Sequence, residues 1–89
     1  MTDGPETLRA DKWLWQARFF KTRALAARMV EGGKVRVNGS RISKPGRALK
    51  PGDVLTLTLS DGVRVVRVLG MGVRRGPASE ARQLYEDLD

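Results

Sequence analysis

The stretch Lys21–Gly39, KTRALAARMVEGGKVRVNG, changes its period halfway along. Its first part reads as a helix. Thr22 is a side-chain N-cap, Leu25, Ala26, Met29 and Val30 share an apolar side, and Arg23, Ala24, Ala27 and Arg28 take the other. Gly32-Gly33 ends it with a backbone free to turn left-handed. Beyond the glycines the period drops to two: Val35 and Val37 alternate with Lys34, Arg36 and Asn38, giving a strand with one apolar and one basic face. Asn38-Gly39 then predicts a tight hairpin turn. A helix running straight into a hairpin indicates an α+β domain.

Towards the N-terminus, Arg9–Phe20 (RADKWLWQARFF) carries Ala10, Trp13, Leu14, Ala17 and Phe20 on one helical stripe. The two helices are expected to join almost without a loop, after a flexible leader at residues 1–8. Towards the C-terminus, Ser40–Lys50 reads as an irregular basic edge and Pro51–Asp53 as a turn. Leu55, Leu57 and Leu59 alternate with Thr56 and Thr58 in a half-buried strand. Asp61-Gly62 predicts a two-residue hairpin turn into Val63–Leu69, whose alternation slips at Val65-Val66, predicting a bulge or two-sided burial. A flexible basic bridge follows Gly70. Ala81, Leu84, Tyr85 and Leu88 then fit a short C-terminal helix. The expected fold is a two-helix N-terminal pair packed on a small, mostly antiparallel twisted sheet, plus that last helix. The expected division is a leader at 1–8, a main domain at 9–70, and bridge and helix at 71–89.

The chain of 89 residues has no Cys and no His, which removes disulfides, thiolate chemistry and the commonest general base and metal ligand. The remaining acids are scattered at the ends and in turns, and Asp11, inside the basic helix pair, reads as a salt-bridge or cap residue. No phosphate-binding loop precedes a helix. A non-enzymatic protein without metal or cofactor is expected. No apolar run suits a membrane span, and the acidic, polar start does not suit a signal peptide; a cytoplasmic, soluble protein is expected.

The net charge of +7 is unevenly placed. Residues 1–8 carry −2 and residues 51–89 carry −1, whereas residues 9–50 carry +10, with twelve Lys/Arg against Asp11 and Glu31. Segregation of this kind points to a polyanion. Lys21 and Arg23 stand at a helix start, where each cation opposes the helix dipole by about 0.3–1 kcal/mol. A bound phosphate reverses that sign, because amides and cations then act on one anion; the plainer alternative is two side chains extended into water. Lys34 and Arg36 on one strand face favour the phosphate. Arg41, Lys44, Arg47 and Lys50 are spaced too irregularly for base reading and suit phosphate tracking; Arg74-Arg75 is a weaker signal. Ala24 and Ala27 either admit a ligand backbone or reflect helix propensity. Trp15 and Phe19, flanked by Lys12 and Arg18, either stack on unpaired bases or pack internally against Leu84 and Tyr85, the latter being favoured.

Several separated motifs together resemble the S-four-type RNA-binding domain: Arg9-Ala10-Asp11 opening the first helix, Thr22-Arg23 opening the second, Gly33–Gly39 (GKVRVNG), and Pro51–Asp53. The resemblance runs over Ala10–Leu55. Within the family, Lys12–Trp15, Arg18–Arg23 and the terminal PASEARQLY look closest to the fifteen-kilodalton heat-shock, ribosome-associated group and its shorter relative in ribosome quality control. Ala10 replaces the family's usual Leu, which should thin the core slightly. The acidic end at Asp87 and Asp89 departs from the longer basic tail of some members. The resemblance implies binding to ribosomal RNA on the large ribosomal subunit, with tRNA that carries a nascent chain, in rescue of stalled subunits. It places RNA contacts at Arg9, Lys12, Lys21, Thr22, Arg23, Lys34, Arg36, Asn38 and Gly39. Arg18, Arg28, Arg41 and Lys44 complete the candidate set. DNA is expected to bind only weakly, no membrane is involved, and the protein is expected to be a monomer. Two alternatives stay open: an adaptor that uses Trp15, Phe19 and the last helix, and a DNA-binding helix-turn-helix.

Overall fold

The computed structural model describes residues 6–88. Most of the leader, residues 1–5, lies outside them; Leu8 already belongs to a strand. The elements are β1 (Leu8–Arg9), α1 (Ala10–Gln16), α2 (Arg23–Glu31), β2 (Val35–Val37), β3 (Ser40–Arg41), β4 (Ala48–Leu49), β5 (Val54–Leu59), β6 (Gly62–Val68), α3 (Ala78–Ala81) and β7 (Tyr85–Asp87). An antiparallel five-stranded sheet runs β3-β2-β5-β6-β7, and β1 pairs with β4 separately. The helix pair packs on one sheet face. Ala10, Trp13, Leu14, Ala17 and Phe20 are all buried, as the stripe predicts, against Val35, Val37, Leu55, Leu57 and Val66. On α2, Ala26 and Val30 are buried, while Leu25 stays exposed.

The first helix ends at Gln16, four residues short of the expected Phe20. Arg18 takes φ +64°, and the amides of Arg18 and Phe19 turn back to the carbonyls of Trp15 and Leu14. This is a Schellman stop with arginine where glycine is usual. A connection over residues 17–22 therefore replaces the expected direct join. The second helix stops in the same way, with Gly33 at φ +77° and the amides of Gly33 and Lys34 bonded to Val30 and Met29. Here the residue type and the geometry agree.

Asn38 and Gly39 both take positive φ and close the β2–β3 hairpin, as expected. The β5–β6 turn is shifted by one residue: Leu59 pairs with Gly62, so Ser60 and Asp61 form the loop. No bulge occurs at Val65-Val66; the register is unbroken from Gly62 to Arg67, and Val65 is half-buried on the second face. The predicted C-terminal helix is a single turn, α3, followed by a 3-10 turn at Arg82–Leu84. Tyr85 is extended and starts a strand that pairs with β6. The open edge of β6 offers Tyr85–Asp87 a full ladder of hydrogen bonds, and Arg64 and Arg67 meet Asp87 and Glu86 there. The bridge after Gly70, expected to be flexible, is tied to the first helix and its stop by four side-chain bonds. Trp13 Nε1 donates to Gly70 O (2.8 Å), Gln16 Nε2 to Met71 O (3.0 Å), Arg75 Nε to Trp15 O (3.1 Å) and Arg18 Nε to Gly76 O (2.7 Å).

Candidate nucleic-acid interface

The N-terminus of α1 is held by tertiary contacts and not by a side-chain cap. The Ala10 amide donates to Arg47 O and the Asp11 amide to Pro45 O, at 2.8 and 3.1 Å. These bonds set β1 and the start of α1 against the 45–47 loop, and they fix Asp11. Asp11 is buried and accepts from Arg9 Nε (3.0 Å), Arg9 Nη2 (3.2 Å) and the Lys12 amide (2.9 Å). Arg23 Nε stands 3.5 Å from its second oxygen. The sequence offers no acid near the start of α2; the fold supplies one from α1. It is a single carboxylate between two guanidiniums, and it serves as the expected salt-bridge residue. Thr22 caps α2 by accepting from the Leu25 amide at 3.0 Å. Lys21, Arg23 and Ala24 remain exposed around that start, where the first amides lie outside the helix's own ladder.

From Arg9 the basic residues continue into the 41–47 segment. The Arg9 guanidinium lies over Gly46, within 3.7 Å of where a Cβ would stand. Gly46 shares an open groove with Arg41, Ser43, Lys44 and Arg47. The Arg41 side chain passes over Gly33, and Arg41 faces Arg36 directly across the β2–β3 hairpin. Both are exposed, and among the described residues neither has an ion-pair partner. Lys34 lies two residues before Arg36, on the same strand face. Arg9 and Arg23 thus meet at Asp11, and Arg41 links the groove beside Arg9 and Lys44 to the hairpin that carries Arg36. Arg47, read from its charge as phosphate-tracking, lines the same groove, and its carbonyl accepts from the Ala10 amide.

Three candidates are placed differently. Arg18 is directed to Gly76 O and closes the helix stop. Asn38 spends its amide inside the fold, donating to Asp53 Oδ1 (3.1 Å) and accepting from the Val54 amide (2.9 Å). Arg28 is exposed in the last turn of α2. Phe19 packs internally, its ring centroid 4.7 Å from Tyr85 and 6.0 Å from Trp13. Of the adaptor surface expected from Trp15, Phe19 and a C-terminal helix, Phe19 is taken up by this packing and the helix is a single turn.

Asp11 and Asp53 make the site sensitive to acid. Burial alone would raise both carboxyls. At Asp11 the Arg9 hydrogen bonds and the Arg23 charge outweigh it, and at Asp53 the bonds from Lys50 and Asn38 do, so both are held below the ordinary carboxylate range. A carboxyl depressed by folding contributes stability that is present above its unfolded value, about 3.9, and is lost as pH falls through the folded value. Urea midpoints should therefore hold above about pH 5 and fall steeply below about pH 4. Asp53→Asn should flatten that fall; an unchanged acid limb would contradict the assignment.

Comparison with known proteins adds to this geometry. The S4 domain matches residues 8–55. The chain is 52% identical over 80 residues to heat shock protein 15 of Escherichia coli K12, covering 90% of this chain and 59% of that protein. It is 35% identical over 81 residues to the RQC P-site tRNA stabilizing factor of Halalkalibacterium halodurans, covering 89% of this chain and 88% of that one. The structure of Vibrio cholerae heat shock protein 15 superposes with a TM-score of 0.87 at 44% identity, over 93% of this chain and 83% of that one. That relative is described as trimeric, so the expectation of a monomer finds no support. The chain spans about three-fifths of the length of the heat shock protein 15 relatives it matches in Escherichia coli. No helix among the described residues is long and apolar enough to cross a membrane.

Proposed function

The chain belongs to the S4 domain family, in the branch that holds heat shock protein 15 and the RQC P-site tRNA stabilizing factor, and from that premise we propose that it is a non-enzymatic, cytoplasmic protein that binds ribosomal RNA on the large subunit. A subunit that still carries peptidyl-tRNA after a stalled ribosome has split is its target, and rescue or quality control is its role. The phosphate backbone is held by Arg9, Lys12, Lys21, Thr22 and Arg23 at the helix pair, and by Lys34, Arg36, Gly39, Arg41 and Lys44 at the hairpin and groove. Arg47 belongs with the second group. The observation that carries this reading is the Arg36–Arg41 pair, two like charges set opposite each other across a hairpin. Such a pair opposes folding unless an anion lies over it.

The mechanism is electrostatic and geometric. Rigid elements fix the spacing of the cations, and folded RNA with matching phosphate spacing displaces its counterions onto them. With about five phosphates engaged, log affinity should fall against log salt with a slope of about −3.5 to −4.5. Titration of large subunits between 50 and 300 mM salt, on the order of the range where this effect is resolved, reads that slope directly. A flat dependence refutes the proposal. Sedimentation with free large subunits, with and without peptidyl-tRNA, separates RNA binding from recognition of the stalled state.

A further inference from the structure

The geometry points to a second element of the RNA site, a nucleobase-stacking platform made by Trp15 and Arg75 next to the phosphate cluster. It rests on the RNA-binding reading above and extends it to an unpaired nucleotide. Trp15 stands four residues after Asp11, so the two share one face of α1, about 6 Å apart along the axis. Asp11 is where Arg9 and Arg23 converge. Lys12, three residues before Trp15, lies beside it.

The indole is only half-buried, unlike Trp13 two residues earlier on the core stripe. Its partner comes from the far end of the chain. The Arg75 guanidinium carbon is 5.6 Å from the Trp15 ring centroid, and Arg75 Nε donates to the Trp15 carbonyl at 3.1 Å. A guanidinium that lies over the indole and is anchored by a backbone bond adds a charged, planar group to the ring. The support is stiff: the bonds from Trp13, Gln16 and Arg18 to Gly70, Met71 and Gly76 tie the Arg75 segment to α1 on both sides. The acids nearest in these segments are already paired, Asp11 with Arg9 and Arg23, and Glu80 with Arg74. The uncompensated charge at the platform is positive. A nucleotide whose phosphate is held at Arg9 and Arg23 therefore has a π-face and a cation within one helical turn of it. Arg75 lies outside residues 8–55, so this element is not part of the matched domain.

The test uses the full chain and two RNA hairpins, one with unpaired adenosines in its loop and one with abasic sugars in the same positions. Wild-type protein should bind the adenosine hairpin about 5- to 150-fold more tightly, the range for one stacked base, with the same salt slope for both. Trp15→Leu and, separately, Arg75→Ala should bring both hairpins to the abasic affinity. If Trp15→Leu does not fold, the wild-type comparison and Arg75→Ala decide alone. Equal wild-type affinity for the two hairpins, or a preference that survives Arg75→Ala, overturns the platform and leaves the phosphate site standing. Salt-independent binding of both hairpins overturns the RNA reading itself, and the platform with it.

Discussion

Arg23→Ala combined with Lys34→Ala should lower affinity for large-subunit RNA by about 100-fold or more, while the circular dichroism spectrum stays that of the wild type. The two positions sample both halves of the interface, the start of α2 and the basic face of β2. A hydrogen bond to a charged group contributes about 1.5–3 kcal/mol, so two such contacts reach at least 3 kcal/mol, roughly two orders of magnitude. The fold should tolerate the change. The Lys34 side chain is exposed, and the 3.5 Å Arg23–Asp11 contact is the longer of the two pairs at Asp11. Arg9 remains bidentate on that carboxylate, so it is not left bare. The salt slope should become shallower by about 1.4–1.8, as expected for two phosphates released from contact. Unchanged co-sedimentation with large subunits, or an unchanged slope, would remove both residues from the site.

The second large effect is on stability. Trp13→Ala should destabilise the protein by about 3–5 kcal/mol, the range for removing a fully buried large aromatic. Trp13 has no exposed surface, stacks on Phe19, and bonds through Nε1 to Gly70 O. A chain of 89 residues has a total stability of roughly 4–13 kcal/mol, so this one change leaves the native state marginal. Trp13→Phe separates the two contributions. It keeps most of the apolar volume but strands the Gly70 carbonyl, at a cost of about 1–3 kcal/mol. Urea unfolding followed by far-ultraviolet dichroism measures both. A midpoint shift worth less than about 1 kcal/mol for the alanine variant would show that the core does not depend on this ring.

The parts of the fold legible in the sequence are those set by local chemistry. Gly33, Asn38-Gly39 and Pro51-Gly52 announce their turns because few other residues take those backbone angles cheaply. The stripe from Ala10 to Phe20 names the core face of the helix pair even though the helix itself stops at Gln16. That stop is hidden because Arg18, in the left-handed position, is an unusual choice there. The last strand is hidden for another reason. Ala81, Leu84, Tyr85 and Leu88 have helical spacing, and only the vacant edge of β6 decides that Tyr85–Asp87 is extended. The interface divides in the same way. Charge segregation indicates a basic half, and the motif spacing from Arg9 to Asp53 identifies the family that the S4 match over residues 8–55 supports. The sharing of Asp11 between Arg9 and Arg23, and the use of Asn38 and Arg18 in structural bonds, both depend on contacts between distant segments.

The tethering of α1 bears on how this molecule folds. Seven residues are too few for a helix to persist in water by itself. Its first amides are held by residues 45–47, its Trp13 and Gln16 side chains by Gly70 and Met71, and its Trp15 carbonyl by Arg75, the last three across sequence separations of 55–60 residues. Contacts of such range close large loops before they return any energy, which slows folding. α2 and the β2–β3 hairpin, whose contacts are local, have no such wait. The surface that holds Arg9 and Arg23 in register is therefore expected to be completed late, once the sheet exists to receive α1. Residues 8–55, taken alone, hold the motifs of the family and the 45–47 anchor of α1, but not the anchor at Gly70 and Met71.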